Sequence, residues 1–205
     1  VGGDTTRGPL NLCLTVMGQV PPGLALRRAN AQVGDDIFVS GTLGDARLAL
    51  EVFRGGVALD AAPFARVRER MERPTPRLAL GHALRGVAHA AADVSDGLSG
   101  DLGHILAASG VGATLHAPAV LQATSADLRG TGDARALAYA LTGGDDYELV
   151  FTAALHQRVA VAQAAARAGV AVTRIGRIEA APGLRLLDAQ QHEMALPGRA
   201  FDHFA

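Results

Sequence analysis

Short strand-like runs alternate with helix-like segments along most of this chain, and that alternation limits its possible folds more than any other feature. A strand is predicted where turn residues bound a short apolar run, and a helix where apolar residues recur every three or four positions. The predicted strands cover residues 36–41, 92–95, 112–116, 147–152, 170–178 and 184–188. The predicted helices cover residues 45–53, 63–70, 78–91, 99–108, 133–141 and 155–168. Over 205 residues this pattern indicates a layered α/β or α+β domain.

The start of the chain gives a separate signal. Residues 10–20 alternate in the manner of a β-strand, and Pro21 ends the run. Cys13 lies in this run, where we expect a buried small hydrophobic side chain. The chain opens on Val1 followed directly by two glycines, which is unusual for a natural start, so we expect a fragment whose upstream part is missing. Residues 73–77 contain two prolines that disfavour helix, and they form either a linker or a structured loop.

The charged residues exclude several classes of protein. All 19 basic residues are arginine, so the chain has neither a Schiff-base lysine nor the lysine of a Walker-type phosphate loop. A formal net charge of −1 provides no broad basic surface for nucleic acid and no polybasic membrane anchor. No apolar run reaches the roughly 18 residues of a spanning helix, so we expect neither nucleic acid nor membrane as a partner. The single cysteine excludes internal disulfides and fits a cytoplasmic location.

Carboxylates concentrate in three glycine-containing segments, at residues 2–8, 93–101 and 143–148. In the second, a strand ending at Val94 would point Asp93 and Ser95 to the same face, and Asp96 would begin the turn into a helix. Short carboxylates at such a junction can hold a hard cation through oxygen ligands, and the N–H groups at the helix start can meet a phosphate. The structural alternative is that Ser95 or Asp96 simply caps the helix.

The other two clusters can also be interpreted either as ligand sites or as structural turns. Asp145 and Asp146 are adjacent carboxylates before a strand, and a metal or cationic ligand would relieve their repulsion. Gly3 and Asp4 combine close backbone approach with an oxygen ligand. Each segment can also be an ordinary solvated turn. Asp101 is similarly open, since it is either a partner of metal ligands or an acid in the first turn of a helix. Taken together, the three clusters favour a metal–nucleotide site, which needs no lysine.

Seven motifs in a fixed order resemble those of bacterial thiamine-monophosphate kinases over nearly the whole chain. They are GGDTTRG at 2–8, VSGTLGD at 39–45, RPTPR at 73–77, DVSDGL at 93–98, DLGHI at 101–105, GDDYEL at 144–149 and FDHF at 201–204. The related hydrogenase-maturation and aminoimidazole-ribotide synthetase enzymes share the architecture but lack this combination of motifs. The resemblance implies ATP-dependent phosphorylation of thiamine monophosphate to thiamine diphosphate, with direct transfer of the γ-phosphate assisted by Mg²⁺.

The resemblance also implies roles for individual residues, carried over by motif. The implied Mg²⁺ ligands are Asp4, Asp93 and Asp96. The implied contacts to ATP are Gly3, Asp4, Arg28 and Ser95. The implied contacts to thiamine monophosphate are Asp145, which stands where the family has Glu, and Phe201, which can stack on the thiamine. The Asp145 side chain keeps the charge of the glutamate but is one methylene shorter.

The implied fold is the C-terminal domain of the aminoimidazole-ribotide synthetase-like fold, a mixed sheet packed with helices. Residues 1–25 would be the remnant of an N-terminal ATP- and Mg²⁺-binding domain, and residues 26–205 the C-terminal domain. The family's N-terminal domain builds a homodimer interface. Two alternatives remain at this point: a non-catalytic nucleotide-binding or assembly fragment, and a related ATP-dependent synthetase.

Overall fold

A computed structural model describes residues 13–198, and within them a mixed sheet lies between layers of helices. Its strands are β1 (Asp36–Ser40), β2 (Ala90–Val94), β3 (Gly112–His116), β4 (Glu148–Ala153), β5 (Val172–Glu179), β6 (Gly183–Leu187) and β7 (Glu193–Met194). The α-helices are α1 (Asp45–Phe53), α2 (Ala61–Glu72), α3 (Leu78–Ala83), α4 (Leu98–Ser109), α5 (Ala117–Gln122), α6 (Ala126–Arg129), α7 (Asp133–Thr142) and α8 (Arg158–Ala168). A short 3₁₀ helix, Leu155–Gln157, leads into α8. These elements confirm the expected fold class, a mixed sheet packed with helices.

The sheet joins strands that are far apart in the sequence, in the order β2-β4-β1-β5-β3-β6-β7. β4 is antiparallel to both β2 and β1, and β5 is antiparallel to both β1 and β3, whereas β3 and β6 are parallel. Val94 at the end of β2 pairs with Glu148 at the start of β4. The segment that follows β2 and the segment that precedes β4 therefore leave the sheet side by side.

Each face of the sheet packs against its own helices because successive side chains of a strand point to opposite sides. On one face, Val150 of β4 packs with buried residues of α4, α5 and α7. On the other face, Phe151 packs with residues of α3 and α8, and its ring stacks on Phe38 with the ring centroids 5.3 Å apart. A smaller cluster joins α1, α2, α6 and α7 through the buried residues Leu48, Val67, Leu128 and Ala136. This last cluster holds α1 against α7, the helix that leads into the loop before β4.

Two sequence predictions are corrected. The helix predicted over residues 78–91 ends at Ala83, and Ala90 already lies in β2. Pairing with β4 overrides the helical preference of this alanine-rich segment, which Gly86 interrupts with a φ of +74°. The strand predicted over residues 10–20 is absent from its described part, residues 13–20, which forms no strand pairing. Cys13 is exposed there and not buried as expected.

Residues 73–77 form a structured loop and not a free linker. Arg77 at its end donates from Nε and Nη2 to the buried Glu148 carboxylate, at 2.6 and 2.5 Å. The loop is therefore tied to the start of β4. Within residues 13–198, no helix has the length and apolar character needed to cross a bilayer.

Candidate functional site

Two of the three acidic segments meet at one end of the sheet. The turn between β2 and α4, residues 95–97, lies against the loop between α7 and β4, residues 143–147. The Asp145 N–H donates to the Ser95 carbonyl oxygen at 2.9 Å, and the Tyr147 N–H donates to the Val94 carbonyl oxygen at 2.8 Å. These two segments lie about fifty residues apart in the sequence, and the hydrogen bonds bring the carboxylates of Asp96 and Asp145 into one cleft.

Glycines allow this close approach. A Cβ at Gly144 would overlap the Ser95 carbonyl oxygen. Gly97 has a φ of +115°, and a Cβ there would lie 2.9 Å from the Thr142 carbonyl carbon. Any larger residue at either position would separate the two segments.

Asp101 in the first turn of α4 fixes the β2–α4 turn. Its Oδ2 accepts hydrogen bonds from the main-chain N–H groups of Ser95 and Asp96, both at 3.0 Å. Burial raises the pKa of the Asp101 carboxyl, against the lowering effect of these two bonds, and the nearby charges of Asp96 and Asp93 raise it further. Asp101 therefore holds the main chain of this turn from the first turn of α4.

The two segments and α1 enclose a polar cleft of about 540 Å³. One wall is α1, which contributes Arg47 and Arg54, and the other contains Asp96 and Asp145. We call this space the polar cleft. Its opposite charges suit a small ligand that carries both anionic and cationic groups.

Tyr147 separates the polar cleft from a second depression of about 450 Å³, which we call the apolar groove. The groove is lined mainly by apolar side chains from residues 74–82 and by Leu149 of β4, and Asp93 lies on its rim. Burial raises the pKa of the Tyr147 hydroxyl, and the charges of Asp145, Asp93 and Asp96 add to this effect. Carboxylates from both depressions therefore lie within electrostatic range of one phenol.

The backbone of the 143–147 loop is strained at its two exposed residues. Asp145 has a φ of +67° and Tyr147 a φ of +49°, in the left-handed region that side chains other than glycine seldom adopt. Non-glycine residues in this region cost about 1–3 kcal/mol each and persist only when the surrounding structure fixes them. Two buried carboxylates, at Asp146 and Glu148, supply that fixation.

Asp146 points away from the solvent and toward α1. Its Oδ2 accepts a hydrogen bond from the Gly44 N–H at 2.7 Å, and its Oδ1 is buried without a partner among the described residues. Burial raises the pKa of the Asp146 carboxyl well above its usual value. The Gly44 bond opposes this rise, and the charge of the nearby Asp45 adds to it.

Glu148 is fully buried, and its carboxylate joins three segments. It accepts hydrogen bonds from Ser40 Oγ at 2.5 Å and Arg70 Nη2 at 2.6 Å, in addition to the two from Arg77. Two guanidinium groups and one hydroxyl thus compensate the cost of burying this charge. From the sequence, Asp146 shares the expectation of Asp145, a metal or cationic ligand or else a solvated turn, and Glu148 carries none, whereas the structure buries both. Their alternation with Val150, the next buried residue of β4, is the sequence signal that places all three on the inner face.

The predicted site residues are placed as follows. Ser95, Asp96 and Asp145 line the polar cleft, and Asp93 is exposed beside the apolar groove. The Arg28 main chain lies elsewhere: its carbonyl accepts from Ser109 Oγ at the far end of α4. Because α4 has 12 residues, this position is about 18 Å from the β2–α4 turn. Gly3, Asp4 and Phe201 lie outside the described residues.

The expected metal site is incomplete in the described part of the chain. Among residues 13–198, no three His, Cys, Asp or Glu side chains are grouped so that they could hold a metal ion. The oxygen donors of Asp93 and Asp96 match the chemistry that Mg²⁺ prefers, and this part of the expectation fits. Further ligands would have to come from residues outside this part, such as Asp4.

Comparison with known proteins supports the motif analysis. Residues 32–189 match the family model described as AIR synthase related protein, C-terminal domain. The chain is 42% identical over 207 aligned residues to the thiamine-monophosphate kinase of Salmonella typhimurium, an alignment that covers 100% of this chain and 63% of that protein. The chain thus spans about three fifths of the length of this curated relative.

Solved structures also resemble this chain. The thiamine-monophosphate kinase of Stenotrophomonas maltophilia K279a superposes with a TM-score of 0.77 at 49% identity, over 82% of this chain and 55% of that one. A structure described as AaThiL complexed with AMPPCP and TMP has a TM-score of 0.71 at 28% identity, over 87% of this chain and 54% of that one.

Proposed function

The chain belongs to the AIR synthase related protein family, whose C-terminal domain it contains, and from that premise we propose that it forms part of a thiamine-monophosphate kinase. The reaction is the ATP-dependent phosphorylation of thiamine monophosphate to thiamine diphosphate. The observation that carries this proposal is the hydrogen-bonded contact between the DVSDGL and GDDYEL motifs at the polar cleft. The relative solved with AMPPCP and TMP supports both substrates.

The residues divide into three proposed roles. Asp93 and Asp96 hold Mg²⁺ together with Asp4. Ser95, Gly3, Asp4 and Arg28 contact ATP. Asp145 and Phe201 contact thiamine monophosphate. Asp101 holds the Ser95 and Asp96 main chain in position through its two hydrogen bonds.

Bound Mg²⁺ would neutralise charge on the transferring phosphoryl group. The chain's own contribution is to orient the two substrates so that an acceptor oxygen faces the γ-phosphate. Asp93 lies in β2 and Asp96 in the turn that follows it, and the charges of both act on the Tyr147 hydroxyl. No side chain is assigned to remove a proton from the acceptor phosphate.

The domain division and the assembly belong to the same proposal. Residues 26–205 would form the C-terminal domain, and residues 1–25 the end of a preceding ATP- and Mg²⁺-binding domain. The complete enzyme would be a homodimer in the cytoplasm. The match to residues 32–189 supports the position of the C-terminal domain.

A second candidate is a non-catalytic binding or assembly fragment. Two observations favour it: the incomplete metal site, and the apolar side chains of residues 13–20, of which Leu14, Val16 and Met17 are each about 90% exposed. Robust kinase turnover by the 205-residue chain alone would exclude this candidate. A related ATP-dependent synthetase would use another acceptor, and a panel of acceptors separates it from the kinase.

The direct test is ADP release by the complete gene product that contains this chain, with ATP, Mg²⁺ and thiamine monophosphate. We expect turnover that depends on the acceptor. Absence of acceptor-dependent turnover would refute the kinase proposal. Arg28→Ala in the same assay tests the proposed contact of Arg28 with ATP, since the Arg28 main chain lies away from the cleft.

A further inference from the structure

The polar cleft has two facing walls that come from distant parts of the chain. Arg47, Leu50 and Arg54 project from α1, and Asp145 and Tyr147 project from the 143–147 loop. The walls touch at their base, where a Cβ at Gly143 would lie 2.6 Å from the Cβ of Arg47. The width of the cleft above this contact depends on what holds α1 to the loop.

A single buried carboxylate joins the two walls. The N-cap residue of α1 is Gly44, which has no side chain to accept from the first N–H groups of the helix. Asp146 takes that role from 102 positions away, because its carboxylate accepts the Gly44 N–H at 2.7 Å. The cap of α1 is thus a residue of the opposite wall.

The orientation of the cleft side chains depends on the same carboxylate. Asp146 is only 2% exposed, and the residues on either side of it, Asp145 and Tyr147, are the two residues of this loop with left-handed backbone. Loss of the anchor between them would let both residues relax to ordinary backbone angles, since that relaxation relieves strain. Both side chains would then leave their positions in the cleft wall.

We propose that Asp146 is a positioning residue, which clamps the 143–147 loop to the start of α1 and so sets the affinity of the polar cleft for the phosphoryl acceptor. The identity of that acceptor as thiamine monophosphate rests on the proposed function. The clamp itself rests only on the hydrogen bond, the burial and the backbone angles described above.

The test compares Asp146→Ala and Asp146→Asn in the complete enzyme with a control, Asp35→Ala. Asp35 is also a buried carboxylate that accepts a main-chain N–H, from Gln32 at 2.9 Å, but it precedes β1 at the opposite end of that strand from the cleft. Steady-state kinetics give KM for thiamine monophosphate and kcat. Amide hydrogen exchange at Gly44 reports on the clamp without any substrate.

We expect Asp146→Ala to raise KM for thiamine monophosphate roughly tenfold or more while kcat stays within about threefold, because the loss falls on binding in both ground and transition states. Asp146→Asn keeps an acceptor oxygen and should stay within about threefold of the parent KM. Asp35→Ala should lower Tm but leave KM unchanged. Faster exchange at Gly44 should accompany only the alanine variant at Asp146.

An unchanged KM in Asp146→Ala, or an equal rise in Asp35→Ala, would overturn the proposal. If Asp146→Ala lacks a cooperative thermal transition, Asp146→Ser replaces it, because its side chain is too short to reach the Gly44 N–H. A parent enzyme without turnover would refute the proposed function only. In that case the exchange measurement still decides the clamp: unchanged protection at Gly44 refutes it.

Discussion

Gly41 and Glu148 share a space that has no room for a second side chain. Gly41 follows β1 with a φ of +56°, and a Cβ built on it would overlap the Glu148 carboxylate. That carboxylate is held in place by Ser40, Arg70 and Arg77 and cannot move aside without breaking ion pairs. The glycine after β1 and the acid at the start of β4 are therefore coupled.

Gly41→Ala should lower the free energy of unfolding by about 3 kcal/mol or more, because it adds left-handed strain and displaces a buried, paired charge. Gly55→Ala is the matched control, since Gly55 has a similar φ of +75° and a Cβ there meets nothing within 4 Å. The control should lose only about 1 kcal/mol. Urea unfolding measures both values, and equal losses would contradict the coupling.

Arg77→Gln should destabilise the protein by about 2 kcal/mol, because it leaves the buried Glu148 carboxylate with one guanidinium where two are present now. Arg68→Gln is the control. Arg68 pairs with Glu72 on the surface of α2, with the two side chains 49% and 43% exposed. Such a pair contributes less than about 1 kcal/mol. Thermal unfolding of both variants checks the difference, and a loss as small as the control's would show that Arg70 suffices.

Asp93→Asn should reduce kinase turnover by orders of magnitude and leave Tm nearly unchanged, since Asp93 is exposed and would act on Mg²⁺. Asp101→Ala, in contrast, should lower Tm by several degrees, because it removes the two hydrogen bonds that hold the β2–α4 turn. Turnover and thermal melts on both variants provide the comparison. A large loss of Tm in Asp93→Asn with little catalytic loss would favour a structural role for Asp93.

Asp145→Asn should raise KM for thiamine monophosphate by about tenfold if its charge contacts the acceptor, whereas Asp145→Glu should stay within about threefold of the parent. The glutamate variant restores the residue that the kinase family carries at this position. Asp133→Asn, on the exposed start of α7, serves as a control for surface charge. Equal KM values for the asparagine and parent proteins would remove Asp145 from the substrate site.

The stability of Asp146→Asn relative to the parent should increase with pH. Burial raises the pKa of Asp146 in the folded protein well above its unfolded value. The folded state therefore binds the proton more tightly, and the stability that this contributes is lost as pH rises through the folded pKa. Asparagine does not titrate, so the variant escapes that loss. Tm values of both proteins between about pH 4 and pH 8 test the sign, and a relative decrease with pH would contradict it.

Most of the fold could be predicted from local pattern, because β1, α1 and β3 have clear apolar periodicity between turn residues. The segment after Leu78 could not, since alanine fits both helix and strand, and only pairing with β4 decides that Ala90 begins a strand. The strand predicted over residues 10–20 had the right alternation but finds no partner strand in its described part, residues 13–20.

The site was partly predictable. The resemblance singled out the motifs at 93–98 and 144–149, and the fold brings these two motifs into contact. It could not distinguish Asp145 from Asp146, two identical side chains next to each other, because the loop backbone is left-handed at Asp145 and Tyr147, and β4 begins two residues after Asp146, at Glu148. A charged residue on the inner face runs against the usual hydrophobic pattern, and only the cap position of α1 explains it.

The order of strands in the sheet has a consequence for how the cleft comes into being. β2, β4 and β1 are neighbours in space, although their sequence positions are separated by intervening helices and strands. No local segment of the chain holds even a partial cleft, and long loops must close before any of it exists. A small molecule that binds in the cleft therefore has no site on a partly folded chain. It stabilises only those protein molecules in which these three strands have paired.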